Sequence, residues 1–211
     1  AYTIASVATG DAASYRCLVT NTCTTVTSNA ATLTVNTAPA ITAQPSSQSK
    51  CPGQSVTFSV TASGTPVPTY QWQKGTTNIT GATASAYTIP SVATGDAASY
   101  RCILTNTCGT VTSNAATLTV NVAPSITTQP SNRTVCSPST ATFTVTATGT
   151  PAPTYQWRSG ASNISGATTS SYTTGTAGTY SCVVTNTCGS VTSGSATLIV
   201  NTAPSVTTQP S

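Results

Sequence analysis

Ser99-Tyr100-Arg101-Cys102-Ile103-Leu104-Thr105-Asn106-Thr107-Cys108 decides the fold, because the chain carries this stretch three times. The other copies run from Ser14-Tyr15-Arg16-Cys17 to Asn21-Thr22-Cys23 and from Thr179-Tyr180-Ser181-Cys182 to Asn186-Thr187-Cys188. Tyr100, Cys102 and Leu104 alternate with Arg101, Ile103 and Thr105, so one face of an extended segment carries the tyrosine and the thiol. Each copy runs on into a Thr/Val/Ala segment such as Thr117-Leu118-Thr119-Val120, then an Asn-x-Ala-Pro sequence: Asn36 to Pro39, Asn121 to Pro124, Asn201 to Pro204.

The three asparagines set the period, which is 85 and then 80 residues. The shorter copy loses its residues between the two tyrosines: Tyr87 to Tyr100 against Tyr172 to Tyr180. A deletion there trims a surface connection. Within one repeat, Val56, Phe58, Val60 and Ala62 alternate with Thr57, Ser59 and Thr61, which predicts a half-buried strand over 56–62. Gly64-Thr65-Pro66-Val67-Pro68 reads as a loop, Tyr70-Gln71-Trp72-Gln73 as the next strand, and Ala86-Tyr87-Thr88-Ile89 as another. Ala116, Leu118 and Val120 line the last. About seven short strands with regular turn signals predict an all-β protein built of β-sandwiches. The expected divisions are 1–36, the last third of a repeat; 37–121 and 122–201, two full repeats; and 202–211, the start of another. On this reading the chain is a window of a longer head-to-tail array, stopping at Gln209-Pro210-Ser211, and 1–36 needs strands from elsewhere to bury its apolar face.

Composition narrows the function. Charged residues are 4% of the chain, with hydrophobic content at 37%. That combination lacks the signature of disorder. The six basic residues are dispersed, so no cluster tracks a phosphate backbone and nucleic-acid binding is not expected. Eight cysteines at fixed repeat positions point to an oxidising, extracellular setting. No apolar run is long enough for membrane insertion.

These features resemble an immunoglobulin-like domain of the intermediate, cell-adhesion type. The matching residues are Val56 to Ala62, Gly64-x-Pro66-x-Pro68, Trp72 and Asp96-Ala97-x-x-Tyr100-x-Cys102. They recur as Gly149-x-Pro151-x-Pro153, Trp157, Tyr180 and Cys182. The resemblance implies tandem immunoglobulin-like sandwiches with Tyr100 and Tyr180 as corner tyrosines and Trp72 and Trp157 in the core. The Ser/Thr-rich style is similar to tandem repeats of large secreted bacterial surface proteins. One departure stands out. The family's sixth-strand cysteine pairs across the core with a second-strand cysteine, and here those partner positions hold Val60 and Val145.

The cysteines therefore need another account. The family's topology puts Cys51 and Cys108 at opposite poles of one repeat, beyond the roughly 7 Å between Cα atoms that a bridge allows. Between consecutive repeats, Cys51 could reach Cys188, Cys108 a cysteine of a preceding repeat, and Cys136 one of a following repeat. Cys23 is the same turn position in the first segment. Cys17, Cys102 and Cys182 are expected as buried free thiols. A Cys51–Cys102 bridge and covalent links between chains are the rival readings. Metal binding is not expected, since there is no His and Cys-x5-Cys is not a zinc-hook spacing.

No catalytic site is expected. The only acids, Asp11 and Asp96, occupy equivalent positions in different repeats and cannot flank one substrate. Trp72 and Trp157 read as core rather than sugar-stacking platforms. Asn78, Asn132 and Asn163 head N-glycosylation sequons, and the Ser/Thr density permits O-linked sugar. No cofactor is called for. Short Pro-containing linkers and low surface charge suit a stiff extracellular rod whose partners are other copies of itself. Surface glycans or proteins are the partners on a binding-module reading, and accessory repeats of a secreted enzyme are a third reading.

Overall fold

The computed structural model describes residues 1–208, so the expected stop at Gln209-Pro210-Ser211 lies outside the described residues. The chain divides into two compact units. One holds residues 1–48, 55–91 and 96–119; the other holds 49–54, 92–95 and 120 onward. The first unit takes in residues 1–36 together with most of the first full repeat, and two short pieces of that repeat, 49–54 and 92–95, go with the second unit.

In the second unit one sheet runs in the order Arg133–Cys136, Ala196–Asn201, Gly178–Asn186, Thr154–Ser159, Ser162–Asn163. Arg133–Cys136 lies parallel to Ala196–Asn201, and the other neighbours are antiparallel. The facing layer pairs Ala141–Thr144 with Ser171–Thr174 and Val122–Thr128 with Thr146–Thr150. The first full repeat has the same arrangement: Thr69–Lys74 beside Ala98–Asn106 beside Ala116–Val120, faced by Val56–Ser59 paired with Ala86–Ile89 and Thr37–Ala43 paired with Thr61–Thr65. The all-β sandwich reading and the tandem arrangement hold.

The predicted single strand over 56–62 is two strands, Val56–Ser59 and Thr61–Thr65, and the predicted loop at Gly64-Thr65 is the end of the second. The cause is a change of partner. Val56–Ser59 hydrogen-bonds to Ala86–Ile89, whereas Thr61–Thr65 turns to Thr37–Ala43. Inward–outward alternation survives the switch, so Val56, Phe58 and Val60 are all buried. Alternation reports which side is apolar and is silent about which neighbour a strand bonds to.

Each core is built around one tryptophan. Trp72 and Trp157 are fully buried, and each indole N–H donates to a backbone carbonyl, Ala84 and Thr169 respectively, at 3.0 Å. That satisfies the only polar atom such a side chain takes into the core. Phe58 stacks on Tyr100 with ring centroids 4.8 Å apart, and Phe143 packs on Tyr180 at 5.2 Å. The tyrosine hydroxyls donate back four residues, Tyr100 to the Asp96 carbonyl and Tyr180 to the Thr176 carbonyl, both at 2.8 Å. The Thr94–Asp96 turn that receives Tyr100 falls in the interval that the third copy shortens. There Ser171–Thr174 passes to Gly178–Asn186 with no such helical turn. Burial and the nearby Asp96 carboxylate push the Tyr100 hydroxyl pKa up to about 12.

Among the described residues, 1–36 pair locally, Ala13–Tyr15 with Ala31–Leu33 and Leu18–Thr20 with Thr25–Thr27. Tyr2, Ile4, Val7, Tyr15, Ala31 and Leu33 line an open apolar groove of about 390 Å³.

Candidate functional site: the cysteine-bearing turns

The chemistry that the sequence offers sits on thiols, and the structure sorts them into three settings. Cys102 and Cys182 are completely buried in the two cores. Their backbone N–H groups donate to Ser113 and Ser193 hydroxyls at 2.9 Å, and burial pushes both thiols above their ordinary pKa. A buried thiol held protonated is a poor nucleophile. Val60 and Val145 are buried at the positions where the family places a partner cysteine. Both thiols are free, as expected, and Cys102 does not pair with Cys51.

Cys17 corrects the sequence reading. It was expected to be a buried core thiol, and it is exposed. It lies between the short strands Ala13–Tyr15 and Leu18–Thr20, in a stretch that differs from the Cys102 strand only at Leu18 and Val19. However, among the described residues no strand bearing a Phe58 or Trp72 counterpart packs over it.

The third setting is the turn thiols. Cys51 and Cys188 are joined in a disulfide across 137 residues of sequence, with Cα atoms 5.5 Å apart. Both lie within the second compact unit. The neighbouring backbone is held as well: Asn121 N–H donates to the Lys50 carbonyl at 2.8 Å, and the Asn121 carboxamide donates to the Thr187 hydroxyl at 3.4 Å. Cys23, Cys108 and Cys136 are exposed and free.

What fixes these turns is the asparagine two residues before the cysteine. Asn106 accepts the Cys108 N–H at 2.9 Å and donates its carboxamide to the carbonyls of Thr37 and Pro66, at 2.8 and 2.9 Å. Asn186 repeats this with Cys188, Val122 and Pro151, at 2.9, 2.7 and 3.1 Å. One side chain therefore holds the cysteine turn, the start of the repeat and the Gly-x-Pro loop together. The glycine of that loop is needed for the approach. A Cβ at Gly64, where φ is +148°, would meet the Asn106 nitrogen and the Pro39 Cα at 3.2 Å. The signal was legible: an asparagine two residues before the turn cysteine in every copy.

The remaining candidates have structural partners. The sequon asparagines 78, 132 and 163 accept hydrogen bonds from Gln73, Thr197 N–H and Arg158. Asp96 lies 3.7 Å from Lys74. Among the described residues no cluster of three or more His, Cys, Asp or Glu side chains could hold a metal ion, and no helix is long and apolar enough to cross a membrane.

A family model described as an immunoglobulin domain matches residues 38–106 and again 123–186, more than half of the chain. The chain belongs to the immunoglobulin domain family. Its two immunoglobulin domains resemble those of solved tandem arrays. The I-band fragment I67–I69 of titin aligns with a TM-score of 0.70 at 23% identity, over 78% of this chain and 66% of that one. Sidekick-1 immunoglobulin domains 1–4 align with a TM-score of 0.64 at 22% identity, over 92% of this chain and 60% of that one. Among curated proteins the chain is 36% identical to Endoglucanase C of Cellulomonas fimi over 129 residues, covering 59% of this chain and 12% of that protein. It is 33% identical to Roundabout homolog 1 of Rattus norvegicus over 156 residues, covering 70% of this chain and 9% of that protein. The chain thus spans about a tenth of the length of these relatives.

Proposed function

We propose that this chain is a stretch of structural repeats from an extracellular bacterial filament, fibre or adhesin stalk, non-catalytic, whose main partner is further copies of itself. The observation that carries this reading is the Cys51–Cys188 bond, which ties a residue of the first full repeat to a turn of the second. A bond placed there does not brace a single core. It resists the parting of successive repeats under load, and closing so long a loop contributes roughly 3–5 kcal/mol in the chain-entropy account. Low charge adds to the case, since 4% charged residues leave little long-range repulsion between neighbouring chains. Electron microscopy of the native material before and after reduction tests it. Ordered fibres that loosen on reduction are the expected result. Isolated flexible strings in both conditions would overturn it.

A second reading rests on the similarity to Endoglucanase C: accessory immunoglobulin domains of a secreted enzyme that hold it on its polymer. Co-sedimentation with insoluble glucan separates the two. Saturable retention would favour the accessory reading, and no retention would leave the structural one.

A further inference from the structure

The free turn thiols occupy the same repeat positions as the bonded pair. Cys136 follows Cys51 by 85 residues, and Cys108 precedes Cys188 by 80. The settings match as well as the spacing. Beside Cys51 stands Asn121, whose N–H bonds the Lys50 carbonyl. Opposite Cys136 in the parallel ladder stands Asn201, whose carbonyl accepts the Ser137 N–H at 2.9 Å. On the turn side, Cys108 and Cys188 both lie in Asn-Thr-Cys-Gly. Both cysteine N–H groups are accepted by the asparagine at 2.9 Å, and both following glycines have positive φ, +149° and +140°. Cys23 keeps the asparagine contact, its N–H accepted by Asn21 Oδ1 at 2.8 Å, but Thr24 replaces the glycine, and the Thr24 N–H bonds to the same oxygen at 2.9 Å. Cys108 is thus the closer copy of the bonded turn, and it is exposed, as is Cys136.

We infer that Cys136 of one chain and Cys108 of a second copy form a disulfide, repeating between molecules the Cys51–Cys188 bond seen within one. The inference rests on the structural-array reading only in naming a second copy as the partner. The reaction needs an oxidant, and a small-molecule disulfide such as glutathione disulfide suffices. The Cys136 thiolate attacks one of its sulfurs, giving a mixed disulfide and one glutathione thiol. The Cys108 thiolate then displaces the second glutathione. Two S–H bonds are lost, one S–S bond forms between the chains, and the two electrons and two protons leave on two glutathione molecules. The core thiols take no part, being buried and protonated.

The test uses the full chain, reduced and then reoxidised in glutathione buffer over a range of protein concentrations, with non-reducing gels and peptide mapping. A concentration-dependent ladder of covalent oligomers is expected, linked by a Cys136–Cys108 peptide. Cys136→Ser and Cys108→Ser are each expected to lose the ladder while keeping the Cys51–Cys188 peptide, which shows that the variants fold. A ladder that persists in both variants, a link through Cys23, a Cys108–Cys136 bond within a monomer, or recovery of both thiols only as glutathione adducts would each overturn the inference. The two readings fail separately. Ordered fibres without the Cys136–Cys108 peptide sink this inference alone, and linked oligomers without ordered assembly sink the fibre reading alone.

Discussion

Residues 1–36 and 86–121 differ at four positions, yet their side chains meet opposite fates. Leu104 is fully buried while its counterpart Val19 is 65% exposed. Cys102 is sealed and Cys17 is open. Ile103 and Leu18, Pro90 and Ala5, and Gly109 and Thr24 complete the differences, and none of these alters the apolar face. What differs is company. Residues 86–121 close over Phe58 and Trp72, and no such strand covers residues 1–36 among the described residues. The lesson is that half of a sandwich keeps its local turns without its core. Tyr15 still donates to the Asp11 carbonyl at 2.7 Å, as Tyr100 does to Asp96. Hydrogen bonds four residues apart are available to the segment alone, whereas burial is a property of both sheets.

The comparison breaks most completely by removing the tryptophan. Trp72→Ala is expected to cost about 3–5 kcal/mol and to unfold the first full repeat under mild denaturant. Amide exchange over 98–106 would then approach the rate seen over 13–20. A smaller step uses matched truncations. Leu104→Ala is expected to cost about 2–4 kcal/mol in urea unfolding. Val19→Ala at the equivalent position should stay within about 0.5 kcal/mol of the parent. Equal effects at the two sites would mean that 1–36 is covered in solution.

The corner tyrosines sharpen the contrast further. Tyr100→Phe leaves the Asp96 carbonyl without its donor and is expected to cost about 1 kcal/mol, with Tyr15→Phe well below that. Alkaline titration gives the smallest effect near neutral pH and a clear sign. The Tyr100 hydroxyl ionises at about 12 in the folded chain against 10.0 ordinarily, so the folded state favours the protonated form. Its contribution is complete below pH 10 and is lost as pH rises toward 12. The first full repeat should therefore lose thermal stability across that window, in step with tyrosinate absorbance. An unchanged melting temperature through pH 12 would count against the burial of Tyr100.

Much of this was legible in residues. The alternation from Val56 to Val60, the spacing from Tyr100 to Cys102 and the single tryptophan per repeat are local patterns with one packing solution. The break at Val60 was not legible, because exchange of hydrogen-bonding partner leaves apolar periodicity unchanged. Nor was the exposure of Cys17, since its sequence nearly matches that of a core strand and what sets it apart is that no facing layer covers it among the described residues. The role of Asn106 was visible as a recurrence but not as a mechanism. Its carboxamide binds carbonyls 69 and 40 residues away, and nothing in a neighbouring residue encodes that.

Val60 and Val145 carry a consequence for how such a chain matures. With valine opposite the core thiol, oxidation has no part in assembling either sandwich, and a folding chain cannot be trapped by a wrong cross-core bridge. Cys102 and Cys182 withdraw from solvent as the cores close, leaving the turn thiols and Cys17 within reach of an oxidant. Folding thereby edits the list of reactive sulfurs before any bond is made. The covalent step becomes a late seal on repeats that have already taken shape.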